Sequence, residues 1–193
     1  MAQKPGNRAA LVALGLLLVV GAFFVWGRVF AEDTPGDYRV RKGNYRLEDG
    51  RYEQAIEEFE AALETNPGHL GAHLGRAITH GQMGELELAL AELDRTLELD
   101  PGLAPAWANR GILRDRLGRH AEALADYRRA LELDPRLAKG PGYLWRFLRN
   151  VGERPPTIAD RADYLEAELA KPPAERLLRL PEEDAKQRMY KVD

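Results

Sequence analysis

Leu63-Glu64-Thr65-Asn66-Pro67, Leu97-Glu98-Leu99-Asp100-Pro101 and Leu131-Glu132-Leu133-Asp134-Pro135 are one helix ending written three times, with the prolines 34 residues apart. Proline lacks an N–H and its ring collides with the preceding turn, so each closes a helix it cannot continue. Working backward, Gly50, Gly84 and Gly118 keep the same interval, as do Ala55, Ala89 and Ala123. Phe59, Leu93 and Tyr127 stand four residues after those alanines, and Ala62, Thr96 and Ala130 three residues further on. Such spacings put them on one helical face, with small residues where two helices must touch.

The register predicts paired helices at 37–49 and 52–65, 70–83 and 86–99, and 104–117 and 120–133. One pair cannot bury its own apolar face, so neighbouring pairs must stack. A unit of 34 residues with this pattern resembles the tetratricopeptide repeat, two antiparallel helices closed by a proline, over about residues 36 to 137. The third copy carries Trp107, Gly111, Gly118, Ala123, Tyr127, Ala130 and Pro135 at the expected positions. The first has Arg39 where a large aromatic is usual, and the second has His73 there, with Ala77 in place of glycine.

The resemblance implies an all-α superhelix of three helix-turn-helix repeats at 36–69, 70–103 and 104–137. A degenerate fourth repeat or cap at 138–171 follows, with Tyr143 to Leu148 and Gly152 as its first helix, and then a tail at 172–193. Arg154-Pro155-Pro156 interrupts the chain, and Thr157 to Asp160 reads as an N-cap with an acidic first turn. The helix expected from Ile158 to Ala170 carries Ile158, Ala162, Leu165 and Leu169 on one side, which suits a lid over the third repeat. The tail, with Leu177, Leu178, Leu180, Met189 and Tyr190, reads either as more cap or as a partner-binding element.

Hydrophobic residues make up 45% of the chain and charged ones 31%, which suits one helical domain with an appendage. Net charge is -3, yet Lys4, Arg8 and Arg28 put +3 into the first 31 residues and leave -6 on residues 32–193. That balance opposes nucleic acid, whose phosphates need a basic footprint. With no cysteine, disulfides, thiol catalysis and lipid anchors on cysteine are excluded.

Ala9 to Gly27 holds no charged residue, and its 19 residues at about 1.5 Å each nearly span a hydrocarbon core of about 30 Å. Residues 9–30 are expected to be a single-pass transmembrane anchor, with residues 1–8 cytoplasmic, 31–35 a linker, and the repeats on the outer, periplasmic side of the inner membrane. Lys4 and Arg8 set this orientation, and Phe23, Phe24 and Trp26 suit the far interface. The alternative is a cleaved export signal ending at Val29-Phe30-Ala31, after which the chain is released.

In the family the first helices line the concave face. Carried over, its positions give Val40, Arg41, Asn44, Leu47 and Glu48, then Leu74, Gly75, Ile78 and Gln82, then Ala108, Asn109, Ile112 and Arg116. Val40, Leu74, Ile78 and Ile112 make an aliphatic strip bordered by amides and charges, suited to a helix or extended peptide of a partner protein. Gly71 and Gly75 leave room for a bulky ligand residue. The competing readings are that the aliphatics seal seams between repeats, or that the C-terminal segment fills the groove. A carboxylate clamp of the kind some family members use is not expected: Val40, Asn44, Gly75, Pro105 and Asn109 stand at its positions, and the cations are missing.

No enzyme is indicated and no cofactor is expected. His73 and His80 fall at interior packing positions, and with His69 they lack the cysteine or carboxylate that would complete a metal site. Asp160, Asp163, Glu166 and Glu168 read as solvated acids, and no phosphate-binding loop follows a strand. The function expected is therefore a non-enzymatic scaffold at a membrane. Its alternative is a structural subunit of an oligomeric or membrane-protein assembly.

Overall fold

A computed structural model describes residues 13, 34–140, 155–184, 187 and 189–191, with the backbone alone at 183 and 184. The chain divides into Met1–Thr34 and Pro35–Asp193. The membrane segment expected at 9–30 and the degenerate helix at 143–152 lie outside the described residues, Ala13 excepted. Among the described residues no helix is long and apolar enough to cross a membrane.

The second unit is built from helices α1 (Asp37–Glu48), α2 (Tyr52–Thr65), α3 (Leu70–Met83), α4 (Leu86–Leu99), α5 (Ala104–Arg116), α6 (His120–Leu133), α7 (Ile158–Leu169) and α8 (Pro181–Asp184). Short 3-10 turns at Pro135–Ala138 and Pro173–Glu175 complete it. The helices α1, α5 and α7 stop one residue before the expected Asp49, Leu117 and Ala170.

The repeated proline phrase has one structural meaning. Asn66, Asp100 and Asp134 end α2, α4 and α6 in an extended conformation, φ near -140° and ψ between 93° and 96°, because a residue before proline is pushed out of the helical region. Each then turns the chain with its side chain: Oδ1 accepts from Gly68 N at 3.2 Å, Gly102 N at 2.8 Å and Arg136 N at 2.9 Å. At the other turn Gly50, Gly84 and Gly118 take φ of 71°, 82° and 77°, the left-handed region that a side chain disfavours.

Packing follows the same period. The helices pair as α1 with α2, α3 with α4 and α5 with α6, while α2 touches α3 and α4 touches α5. The first helices also meet one another, α1 with α3 and α3 with α5. Buried Phe59 fills the space left by two glycines: a Cβ on Gly43 would lie 2.6 Å from its ring, and one on Gly75 2.4 Å. Tyr127 fills the slot at Gly111 in the same way, at 2.6 Å.

Ion pairs repeat at the same step. Lys42 meets Glu58, Arg76 meets Glu92 at 2.6 Å, and Arg110 meets Asp126 at 2.8 Å. Between neighbouring repeats Arg76 approaches Glu60 at 3.9 Å and Arg110 meets Asp94 at 2.8 Å. One departure from the repeat pattern, at His73, finds a local substitute. His73, in the tryptophan position, donates Nε2–H to Pro67 O at 3.0 Å, and Trp107 donates its indole N–H to Pro101 O at 2.9 Å one period later.

The helix α7 closes the array by packing on α6. Thr157 and Asp160 form a capping box: Thr157 Oγ1 accepts from Asp160 N at 3.3 Å, and Asp160 Oδ2 accepts from Thr157 N at 2.8 Å. Its apolar side, Ile158, Ala162 and Leu165, is buried with half-buried Leu169 beside it. A charged bolt supplements that contact. Arg161 Nε and Nη2 donate to the Asp115 carboxylate at 2.6 and 3.0 Å, and His120 Nδ1–H and the Tyr127 hydroxyl donate to it at 2.8 and 3.3 Å.

Candidate functional site

The inner face is the one on which α1, α3 and α5 lie side by side. Of the residues expected there, Val40, Leu47, Leu74, Ile78, Asn109 and Ile112 are buried, Asn44 and Arg116 are half-buried, and Arg41 and Gln82 are exposed. The aliphatic strip is thus covered. Val40, Leu74 and Ile78 belong to a core that extends from α1 to α5, and Ile112 to one that extends from α5 to α7.

The room expected for a ligand at two glycines is used by the array itself. The space over Gly75 holds the Phe59 ring, and a Cβ on Gly71 would lie 3.4 Å from Val40 Cγ1. Two other expectations change as well. His80 is not an interior residue: it sits at the end of α3, partly exposed, with Nδ1–H donating to Glu85 at 2.6 Å. Glu168 is not solvated but buried, accepting from Lys171 Nζ at 2.5 Å and Leu177 N at 2.6 Å. Those two bonds, the lysine's first, hold its carboxyl below the usual range. No group of three or more potential metal ligands is found among the described residues.

What crosses the inner face is the C-terminal segment. Arg161 and Tyr164 of α7 donate to the carbonyls of Leu178, at 2.9 Å, and Leu177. Arg179 Nη2 then donates to Arg116 O at the end of α5 at 3.0 Å. Gln187 Nε2 donates to the buried Tyr127 hydroxyl of α6 at 3.2 Å. Desolvation, followed by the Asp115 charge, raises that phenol well above its ordinary value, so it remains a neutral donor.

Three consecutive residues then meet the three first helices. Met189 packs against both cores, its Cε 2.8 Å from where a Cβ on Gly81 of α3 would be. Tyr190 is clasped through its backbone: Asn109 Nδ2 of α5 donates to its carbonyl at 2.7 Å, and its N–H donates to Asn109 Oδ1 at 2.7 Å. Lys191 Nζ donates to Glu48 Oε1 of α1 at 3.0 Å. The paired bonds to Asn109 read the backbone and no side chain, which lets a groove hold a peptide segment whatever its side chain there. Sequence reasoning placed Asn109 in the groove and allowed for a filled groove, but did not find which tail residues fill it.

Tetratricopeptide repeat family models match residues 46–109 and 104–137. Among solved structures, the first repeat domain of Spaghetti (RPAP3) bound to the HSP90 peptide SRMEEVD is similar, with a TM-score of 0.57 at 20% identity, covering 72% of this chain and 97% of that one. The second repeat domain of Spaghetti, bound to the same peptide, is 26% identical with a TM-score of 0.50, covering 52% and 94%. The Arabidopsis OM64 domain is 24% identical with a TM-score of 0.51, covering 53% and 84%. No curated protein matches the chain.

Proposed function

We propose, on the premise that residues 46–137 are tetratricopeptide repeats, that this chain is a non-enzymatic adaptor whose inner face binds an extended peptide of a partner protein beside a membrane. The observation that carries this reading is the C-terminal segment already seated there, held by Asn109 through its backbone and touching α3, α5 and α1 in turn. The second Spaghetti domain, similar in fold and bound to a peptide, supports it. The ligand differs from that acidic peptide in chemistry. Among the described residues, the basic Lys191 of the seated segment meets the Glu48 carboxylate.

Within this reading residues 36–69, 70–103 and 104–137 are the three repeats, and Val40, Arg41, Asn44, Leu47, Leu74, Ile78, Gln82, Asn109, Ile112 and Arg116 frame the groove. The apolar stretch at 9–27 with Lys4 and Arg8 before it supports an anchor at 9–30 that holds the groove near the membrane and raises the local concentration of a membrane partner. The second reading, an assembly subunit, is favoured by the exposed Tyr38 and Tyr45 on α1, a surface suited to a subunit contact.

Site-specific photocrosslinking in membranes with the full-length chain tests the adaptor. A crosslinker at exposed Gln82 should trap a partner that one at exposed Glu57 on α2 does not, and Arg116→Glu should reduce the yield. Equal trapping at both positions, or none at Gln82, would contradict a partner in the groove.

A further inference from the structure

Met189, Tyr190 and Lys191 occupy three unlike environments, and their order is informative. Gly81 has no Cβ to collide with Met189 Cε, so α3 leaves a slot that a long flexible apolar side chain fills beside Leu113. At the next residue Asn109 supplies one donor and one acceptor to the backbone, while the tyrosine side chain is half-buried against the core joining α5 to α7 and its hydroxyl faces Leu137 O at 3.5 Å. At the third, Glu48 puts a carboxylate opposite the ammonium.

We propose that this face selects extended peptides carrying a long apolar residue, an aromatic residue and a basic residue in succession, and that the chain's own Met189-Tyr190-Lys191 is the occupant in cis that such a peptide displaces. The inference rests on the peptide-groove reading and adds its specificity and its regulation. Asn109 gives backbone affinity to any strand, whereas the Gly81 slot and Glu48 discriminate among side chains. An attached tail competes at an effective concentration on the order of millimolar. The site is therefore open only to a ligand of this register or to one delivered in quantity. Tail and groove thus set a threshold for partner binding.

The test uses the full-length chain and, as probe, a fluorescent peptide of residues 181–193. In the variant Met189→Asp with Tyr190→Gly the tail is released while the groove is untouched. A tail closed ten times as often as it is open predicts binding of the probe to this variant about tenfold tighter than to the natural chain. Lys191→Glu alone, a change outside the buried contacts, should move affinity in the same direction by less. Adding Glu48→Lys to the released-tail chain should reverse its preference between the natural probe and a probe with Lys191→Glu. Equal binding of the probe by natural and released-tail chains, or a preference unmoved by the charge exchange, overturns the proposal. Because the probe is the chain's own tail, failure here leaves capture of a foreign partner to be judged separately by crosslinking.

Discussion

Asp115→Asn tests how the cap is held. Asp115 and Arg161 are 5% and 7% exposed, and two guanidinium hydrogen bonds at 2.6 and 3.0 Å join helices whose residues stand 46 apart in the chain. The amide keeps the size of the carboxylate but removes the charge that both Arg161 bonds rely on. Breaking one side of a buried pair costs about 3–5 kcal/mol, against about 5–15 kcal/mol for a whole domain. At about 2–4 °C per kcal/mol for a chain of this size, the midpoint should fall by roughly 6–20 °C. Arg161→Met on the Asp115→Asn background removes the guanidinium that has lost this carboxylate, so the double variant should recover part of the loss. Urea denaturation followed by circular dichroism on the four proteins of this cycle gives the coupling, expected at about 2 kcal/mol or more. A single Asp115→Asn within about 1 kcal/mol of the natural chain would refute the claim that this pair secures α7.

Gly75→Ala should destabilise by about 1–3 kcal/mol, because its Cβ would lie 2.4 Å from the buried Phe59 ring, and Phe59→Leu on the same chain should recover part of that in a thermal melt. No loss in the single variant would mean that Phe59 does not fill the slot. At Glu92 burial raises the carboxyl, but hydrogen bonds from His73 and Arg76 outweigh it and leave the group below its ordinary value of 4.5. The folded state then binds fewer protons than the unfolded one, so the stability Glu92 supplies is present above pH 4.5 and is lost as pH falls from there through the lowered native value. Urea midpoints of the natural chain and Glu92→Gln should therefore converge on acidification, and a gap that stays constant to pH 3 would contradict this.

Most of the fold is legible from one proline period, because each repeated position is a local requirement. Pro67, Pro101 and Pro135 force the residues before them to be extended, and Gly50, Gly84 and Gly118 supply the left-handed turns. The ion pairs of Arg76 with Glu92 and Arg110 with Asp126 keep that step too, and reading charges with the same period as the apolar residues would have found them. The site is less legible. Ile78 and Ile112 sit where a groove residue should, yet their burial depends on neighbours that a repeat register does not describe. Nothing local ties Tyr190 to Asn109, which is 81 residues away, and Gly75 looked like space for a ligand because the ring that fills it comes from the preceding repeat.

The amide of Tyr190 reports most directly on whether the inner face of the repeats holds an extended strand. Hydrogen exchange on the full-length chain, resolved by residue, should show this N–H, which donates to Asn109 Oδ1 at 2.7 Å, exchanging about tenfold or more slowly than in the free peptide. The Asn109→Ala variant should return it to the free rate. Free-chain exchange at Tyr190 in the natural protein would contradict a seated strand, and with it the groove on which the proposed function depends.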